Sequence, residues 1–468
     1  METTEIKIAK ERHDNSDHLL SKAEASELGR SLRNKTPRTS HAEWYTASDR
    51  TDPVDILMET SKGREAHLIP IRYGRMLKSP FAFYRGAAAI MAADLSTTPS
   101  TGVYVQSCGD CHLANFGSYA TPERQIVFDI NDFDETLPAP WEWDLKRLAA
   151  SFVIAAVHNK ISKAKAKEIT IACVESYREH TNKYAQLSPL EVLYSSISVD
   201  DVMKMTKSEE AKKRFLKQVE KAKHKSLTGE GYSNLIKVEN GKTTIVDNPP
   251  LIFHRNDVDA EEYHQQVEKA FEQYAESLGA EKRILFEQYK FVDMATKVVG
   301  VGSVGRLCGI SLRITADNEP LFLQVKEATT SVLEPFTRKS IFQNDGQRVV
   351  HGQKMMQAAS DIFLGWGTGI SGRYFYVRQL RDIKIKPLVE VFEDETMEDY
   401  ARLCGWTLAR AHARSGKADI IDGYLGNSSK FADAVAEFSL LYAEQNEKDF
   451  TAIKNAVRSE KLEAVFEE

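Results

Sequence analysis

The spacing of apolar and polar positions divides the chain into a mixed stretch, a long helical stretch, a strand-rich stretch and a helical tail. TGVYVQSCGDCHLANFG alternates through Val103 and Val105 and then turns small and polar, which predicts a strand running into a loop. RQIVFDINDFDE repeats the pattern and ends in a cluster of acids. Ahead of both, from His67, LIPIRYGRMLKSPFAFYRGAAAIMAADL sets Arg72, Arg75 and Arg85 among apolar and aromatic residues and continues as helix, the start of a core. From Trp141 to about Gln288 helical spacing dominates (WDLKRLAASFVIAAVHNK, AKEITIACVESYREHTNKYA, EEYHQQVEKAFEQYAESL), with one hairpin, IKVENGKTTIV, turning at Asn240-Gly241. Strand texture returns between Val298 and Val325 and again at RYFYVRQL. QRVVHGQKMMQAASDIFLGW between them reads as helix, and helices close the chain from about Met397.

These boundaries predict four regions: a polar extension over residues 1–65, carrying Pro37 and Pro53 as breakers and either mobile or wrapped on the surface; a mostly helical lobe over 66–290; a smaller antiparallel-sheet lobe over 291–390; and helices over 391–468 that complete the first lobe. The expected class is α+β, with two lobes. At 468 residues, 42% hydrophobic and 28% charged, the chain has the composition of a folded globular protein. Its net charge of −6 supplies no overall positive field for a nucleic-acid backbone, so nucleic acid is excluded as a main partner. The polar N-terminus and the lack of a long apolar run predict neither a secretory signal nor a membrane span. Five scattered cysteines do not make a disulfide framework, and a reducing cytoplasm is the expected location.

The chemistry-bearing residues fall in two distant stretches. Asp110 and Asn115 stand five apart in GDCHLANFG, directly after a strand. Phosphoryl transfer needs an aspartate that accepts the proton of the attacking hydroxyl and, a short loop away, an asparagine oxygen that holds magnesium. Asp132, in NDFDE after the next strand, is placed as the second metal ligand beside Asn115, since Mg²⁺ takes a few hard oxygens. Far downstream, Gly300-Val301-Gly302-Ser303-Val304-Gly305 forms a GxGxxG between strand-like runs. A dinucleotide fingerprint would be followed by a helix, whereas RLCGISLRI continues as strand, which favours a flap over phosphates. Lys326 in LFLQVKEA is placed as the lysine that pairs with the nucleotide phosphates. Its acidic partner is expected at Glu334, then Glu327, because GQRVVHGQKMMQ contains no acid. Arg85, with His112 and Asp134, is a candidate for contact with substrate or phosphate; Asp144 and Arg147 are expected to serve as scaffold and His412 as a packing residue.

RYGRM, SPFAFYRGAA, CGDCHLANFG, NDFDET with EWDLKRLA, GVGSVG, LQVKEA and GWTLARAHARSG together resemble a bacterial family of uncharacterised proteins, the domain-of-unknown-function family 2252, which is grouped with protein-kinase-like folds. Gly109, Asp110, His112 and Asn115, with Asp132 and Phe133, are more remotely similar to aminoglycoside-type small-molecule kinases. The resemblance implies a kinase-like fold and an ATP and Mg²⁺ site. The catalytic elements precede the small lobe, so the order is circularly permuted, and Cys108 stands where kinases usually carry histidine. The expected activity is phosphotransfer from ATP to an unidentified small molecule or protein. AMP transfer on the same fold and a nucleotide-binding pseudokinase acting on a partner are the alternatives. Cys108-Gly-Asp-Cys111 is also a C-x-x-C, the spacing of a redox pair or half a zinc site, although no second such pair accompanies it.

Overall fold

The computed structural model describes residues 20–228, 235–239, 241–254, 260–298, 300–369, 372–380 and 383–467. Its thirteen described strands are β1 (Tyr104–Ser107), β2 (Phe116–Ala120), β3 (Ile126–Ile130), β4 (Leu137–Pro140), β5 (Ile236–Glu239), β6 (Lys242–Ile245), β7 (Ile252–Phe253), β8 (Lys290–Lys297), β9 (Cys308–Ile314), β10 (Pro320–Ala328), β11 (Gly365–Thr368), β12 (Tyr374–Gln379) and β13 (Lys384–Ile385). All their pairings are antiparallel and helices dominate elsewhere, so the protein is α+β.

The helix Trp141–His158 is buried without a break from Trp141 to Ala156, because other helices surround it. Lys163–Gln186 and Lys430–Arg458 pack on it, and Asp394–Ala413 lies along the former. That last contact needs Gly405, since a Cβ there would sit 2.1 Å from the Cys173 carbonyl oxygen. Trp141 stacks on Tyr177 with ring centroids 5.7 Å apart. The extension wraps this helical body: Lys22–Lys35 lies against Ala418–Leu425, and Trp44 is buried in the main core. Arg50 bridges Asp94 and Asp449, each at 2.6 Å. Residues 1–19 of the extension fall outside the described part.

The largest sheet runs β11-β12-β10-β9-β8-β7. Period-2 alternation along β10 sends Leu321, Leu323 and Val325 to one face, where Phe271, Tyr274 and Phe286 of the helices Ala260–Glu276 and Ala280–Glu287 cover them. Phe322 points to the other face, with Ile310, Leu312 and, from beside the β5–β6 hairpin, Leu235 and Ile245. The sheet therefore takes its edge strand β7 and its covering helices from residues expected in the helical lobe, so the predicted boundary at 291 lies too late. The hairpin forms as its spacing predicts; Gly241 has φ +76°, and Asn240 lies outside the described residues. The helix expected to run through Trp366 ends at Met356, and Gly365 and Trp366 open β11 instead. The reason is steric: a Cβ at Gly365 would meet the Ser277 hydroxyl at 2.5 Å, so only a bare backbone passes the covering helix. The helices expected from Met397 onward are Asp394–Ala413, Ala418–Leu425 and Lys430–Arg458. Among the described residues no helix is long and apolar enough to cross a membrane.

Two smaller sheets set the loops. β1 pairs with β4, and β2 lies between β13 and β3. Because Phe116 pairs with Ile130, the loops that enter β2 and leave β3 lie side by side, and the Asn131 amide donates to the Asn115 carbonyl at 2.8 Å.

Candidate functional site

After β1 the chain turns at Cys108-Gly109-Asp110-Cys111. Gly109 has φ +78°, and a Cβ there would lie 2.3 Å from the Glu135 carbonyl oxygen, so this turn requires glycine. Asp144, in the first turn of Trp141–His158, accepts the amides of Cys108 at 2.8 Å and Gly109 at 3.0 Å. The His412 Nε2 lies 3.3 Å from the same carboxylate, and the His412 Nδ1 lies 2.9 Å from the Tyr177 hydroxyl. Asp144 thus supports the loop, and His412 extends that support as well as packing. Arg147, one turn further on, donates to Asp110 Oδ1 through Nε at 2.8 Å and Nη2 at 2.5 Å. Burial raises the Asp110 carboxyl above its ordinary range despite that guanidinium. The Asn115 side-chain amide donates to the Asp110 carbonyl at 2.8 Å, which leaves its oxygen for the cleft it lines.

The acids of NDFDE divide the work. Lys326 on β10 donates to both carboxylate oxygens of Asp134, at 2.9 and 2.7 Å. The Tyr376 hydroxyl, paired across from Lys326 on β12, donates to Asp134 Oδ1 at 2.5 Å, and Ser303 donates to Oδ2 at 3.2 Å. Burial alone would raise the Asp134 carboxyl, but the Lys326 charge and these donors hold it well below the usual carboxylate range. Burial likewise works against the Lys326 ammonium, and the charges of Asp132 and Asp134 overcome it. Among the described residues Asp132 takes no such clasp; its Oδ1 accepts a long bond from the Asp134 amide, at 3.4 Å. Arg348, fully buried in the helix Asp345–Met356, fixes the loop from behind by donating to the carbonyls of Asp134 (2.9 Å), Thr136 (2.7 Å) and Thr329 (2.6 Å).

The glycine run joins β8 to β9 as an antiparallel hairpin with no helix after it, which excludes the dinucleotide geometry. Gly300 and Gly305 have φ +68° and +85°. The loop is held by residues well before it in sequence. Arg64 donates to the carbonyls of Gly302 and Val304, Arg75 to that of Gly300, and the Glu65 amide to that of Gly305.

One cleft, open to solvent, brings these pieces together: Asp110, Asn115 and Asp132 line it with Asp134, and so do Gly300, Gly302 and Ser303. His112 and Arg85 line it as well, with the His112 Nε2 3.9 Å from the Asp110 carboxylate. Gly305 stands behind, against the Arg64 side chain, and Lys326 reaches the cleft through Asp134. Glu334 is not brought in: it sits in the short turn Glu334–Phe336 and accepts the Ser340 amide at 3.2 Å. Glu327, adjacent to Lys326 and so on the opposite face of β10, accepts the Leu307 amide at 2.8 Å and pairs with Arg373 at 3.1 Å. The lysine's acid is therefore Asp134, two residues from the acid assigned to metal. Sequence reading missed Tyr376, Arg348 and Arg64. The lack of an acid in GQRVVHGQKMMQ, past the Asp345 that opens the helix carrying Arg348, was the one available signal.

The C-x-x-C thiols and an Asp144 oxygen lie within 4.8 Å of one another, the one such cluster among the described residues. Both Asp144 oxygens already accept backbone amides, and burial pushes the Cys111 thiol up to about 11, so the trio has the character of a packed thiol pair on the loop's support.

A family model described as "Uncharacterized protein conserved in bacteria (DUF2252)" matches residues 64–456. The chain belongs to this family. The matched span contains the cleft apart from Thr60, from the Arg64 that grips the glycine loop to the helix carrying His412, which supports the Asp110 loop. No curated protein and no solved structure matches the chain.

Proposed function

We propose that this DUF2252 protein is an ATP- and Mg²⁺-dependent phosphotransferase of permuted kinase-like fold. One observation carries the reading: a strand lysine clasped to the acidic NDFDE loop brings a glycine hairpin over the same cleft as Asp110, from stretches nearly 200 residues apart in sequence. The strand order supports it too, since a glycine hairpin (β8–β9), a lysine strand (β10), a helix and two further strands follow one another as a nucleotide-binding lobe requires.

The oxygens present fit a magnesium ion. The Asp132 carboxylate and the Asn115 side-chain oxygen are hard donors on neighbouring loops that line one cleft. Magnesium bound there would neutralise charge on the phosphates. Asp110 would accept the acceptor's proton, its raised pKa suiting a base that must bind a proton in the transition state. Lys326 and Asp134 hold the nucleotide side of the cleft in place.

The test is turnover of MgATP with a panel of small-molecule acceptors. ADP release is expected, with a loss of roughly 10²-fold or more in Asp110→Asn while a non-hydrolysable ATP analogue still binds. Pyrophosphate release would instead mean AMP transfer, and undiminished turnover in Asp110→Asn would remove the base assignment. A second reading, a nucleotide-binding regulator without transfer, is favoured by the two bonds from Arg147 to Asp110, which oppose proton acceptance. Nucleotide binding with no product in any arm would decide for it.

A further inference from the structure

Beyond the nucleotide residues, the cleft holds guanidinium groups that no carboxylate closely satisfies. Arg72 is 2% exposed and bonds only to neutral oxygens, the nearest being Ser61 Oγ at 2.9 Å. Arg64 meets carbonyls and no carboxylate, donating from Nε to Thr60 and from Nη1 to Gly302 and Val304. Arg306 has one long ion pair among the described residues, with Glu135 at 3.7 Å, and its charge also acts on Asp134. The Nε atoms of Arg72 and Arg85 and the Nδ1 of His112 are buried with no hydrogen-bond partner among the described residues.

An arginine cannot shed its proton inside a protein, so a buried unpaired one costs stability that a bound anion would restore. The pressure is visible: burial, with mutual repulsion from Arg72 and Arg306, drives Arg64 down to about 8, and burial drives Arg72 down to about 10. Planar guanidinium forks suit phosphate oxygens.

Arg64 and Arg306 border the glycine loop, and Arg85 extends the group away from the nucleotide residues toward the base. Lys326 and Tyr376 converge on Asp134, whereas the Arg85 charge acts on Asp110 and His112, the side from which an acceptor must approach the base. We propose that Arg64, Arg72, Arg85 and Arg306 form a phosphate-binding subsite for the acceptor, whose substrate class is a small phosphate monoester carrying a free hydroxyl. The assignment of this anion to the acceptor rests on the phosphotransferase reading. In the transfer, the acceptor's hydroxyl oxygen bonds to the γ-phosphorus of ATP, the bond from that phosphorus to the β,γ-bridging oxygen breaks with its electron pair leaving on ADP, and the hydroxyl proton passes to Asp110. The acceptor's own phosphate stays on the arginines.

The experiment titrates inorganic phosphate into the full chain by calorimetry, with and without a saturating magnesium complex of a non-hydrolysable ATP analogue. Phosphate is expected to bind in both cases, and about tenfold or more weaker in Arg85→Gln and in Arg306→Gln, with the analogue's affinity unchanged in Arg85→Gln. Two substitutions are used because one alone could disturb the loop, and a retained thermal unfolding midpoint checks that each variant folds. Competition between phosphate and the analogue would overturn the proposal by giving the arginines to the triphosphate. No binding of phosphate to the wild type, or equal binding to both variants, an adventitious ion only, would overturn it as well. If phosphate binds and the variants lose it while the analogue never binds, the anion site stands and the nucleotide reading falls.

Discussion

Asp134 shows how two residues decide a site. Its carboxylate is held in the charged form by Lys326, Tyr376 and Ser303, so replacing the lysine strands a buried anion. Lys326→Met should cost about 3–5 kcal/mol of stability, measured by urea unfolding, in addition to its effect on nucleotide binding. The pH dependence has a definite sign. A carboxyl whose folded pKa is depressed stabilises fully above its unfolded value of roughly 3.9 and loses that contribution as the pH falls toward the folded value. Asp134→Asn should therefore flatten the stability curve below about pH 4 relative to wild type. Asp110 shifts the opposite way, so the acid limb of kcat/KM should lie above the ordinary aspartate value of about 3.9. The loop residues Asp110, Asn115 and Asp132 were legible because a D-x-x-x-x-N after a strand and an acid after the next strand occur locally in the sequence. The partner of Lys326 was not: the choice among Glu327, Glu334 and Asp134 depends on which strand face and which distant loop meet, and no local pattern encodes that.

At the scale of elements, the helix Asp345–Met356 exchanges one role for another. It offers no acid to Lys326, yet Arg348 and Gly352, one turn apart, present one face to the acidic loop. Arg348 takes three carbonyls around it, and Gly352 lets Thr136 approach so closely that a Cβ would meet it at 2.3 Å. Arg348→Met should destabilise by about 3 kcal/mol or more and raise amide exchange over residues 131–137 before it does so in the helical body. The strands β10 and β12 were readable as short apolar and aromatic runs, the texture of a strand buried on both faces. The end of that helix and the origin of the covering helices were not. Gly365 reads in sequence as part of a helical run, and only the approach of Ser277 shows why the backbone there must be bare and extended.

On the scale of the whole molecule, the described part of the N-terminal extension binds the C-terminal helices. Arg50 joins Asp94 to Asp449 with both acids buried, so Arg50→Ala should cost about 3–5 kcal/mol and lower the thermal midpoint in one cooperative step. Two separate transitions would show instead that the extension melts by itself. Its polar composition concealed this role, since Trp44 and Arg50 are single residues in a run that otherwise reads as solvated. The same long-range wiring bears on the glycine hairpin. Four of its carbonyls end on residues 64–75, and the Ser303 hydroxyl ends on Asp134. Such a hairpin cannot breathe alone: lifting it means peeling back a piece of chain more than 220 positions away, so guests should enter and depart slowly, and their residence time should answer to substitutions at Arg75, which stands outside the cleft lining.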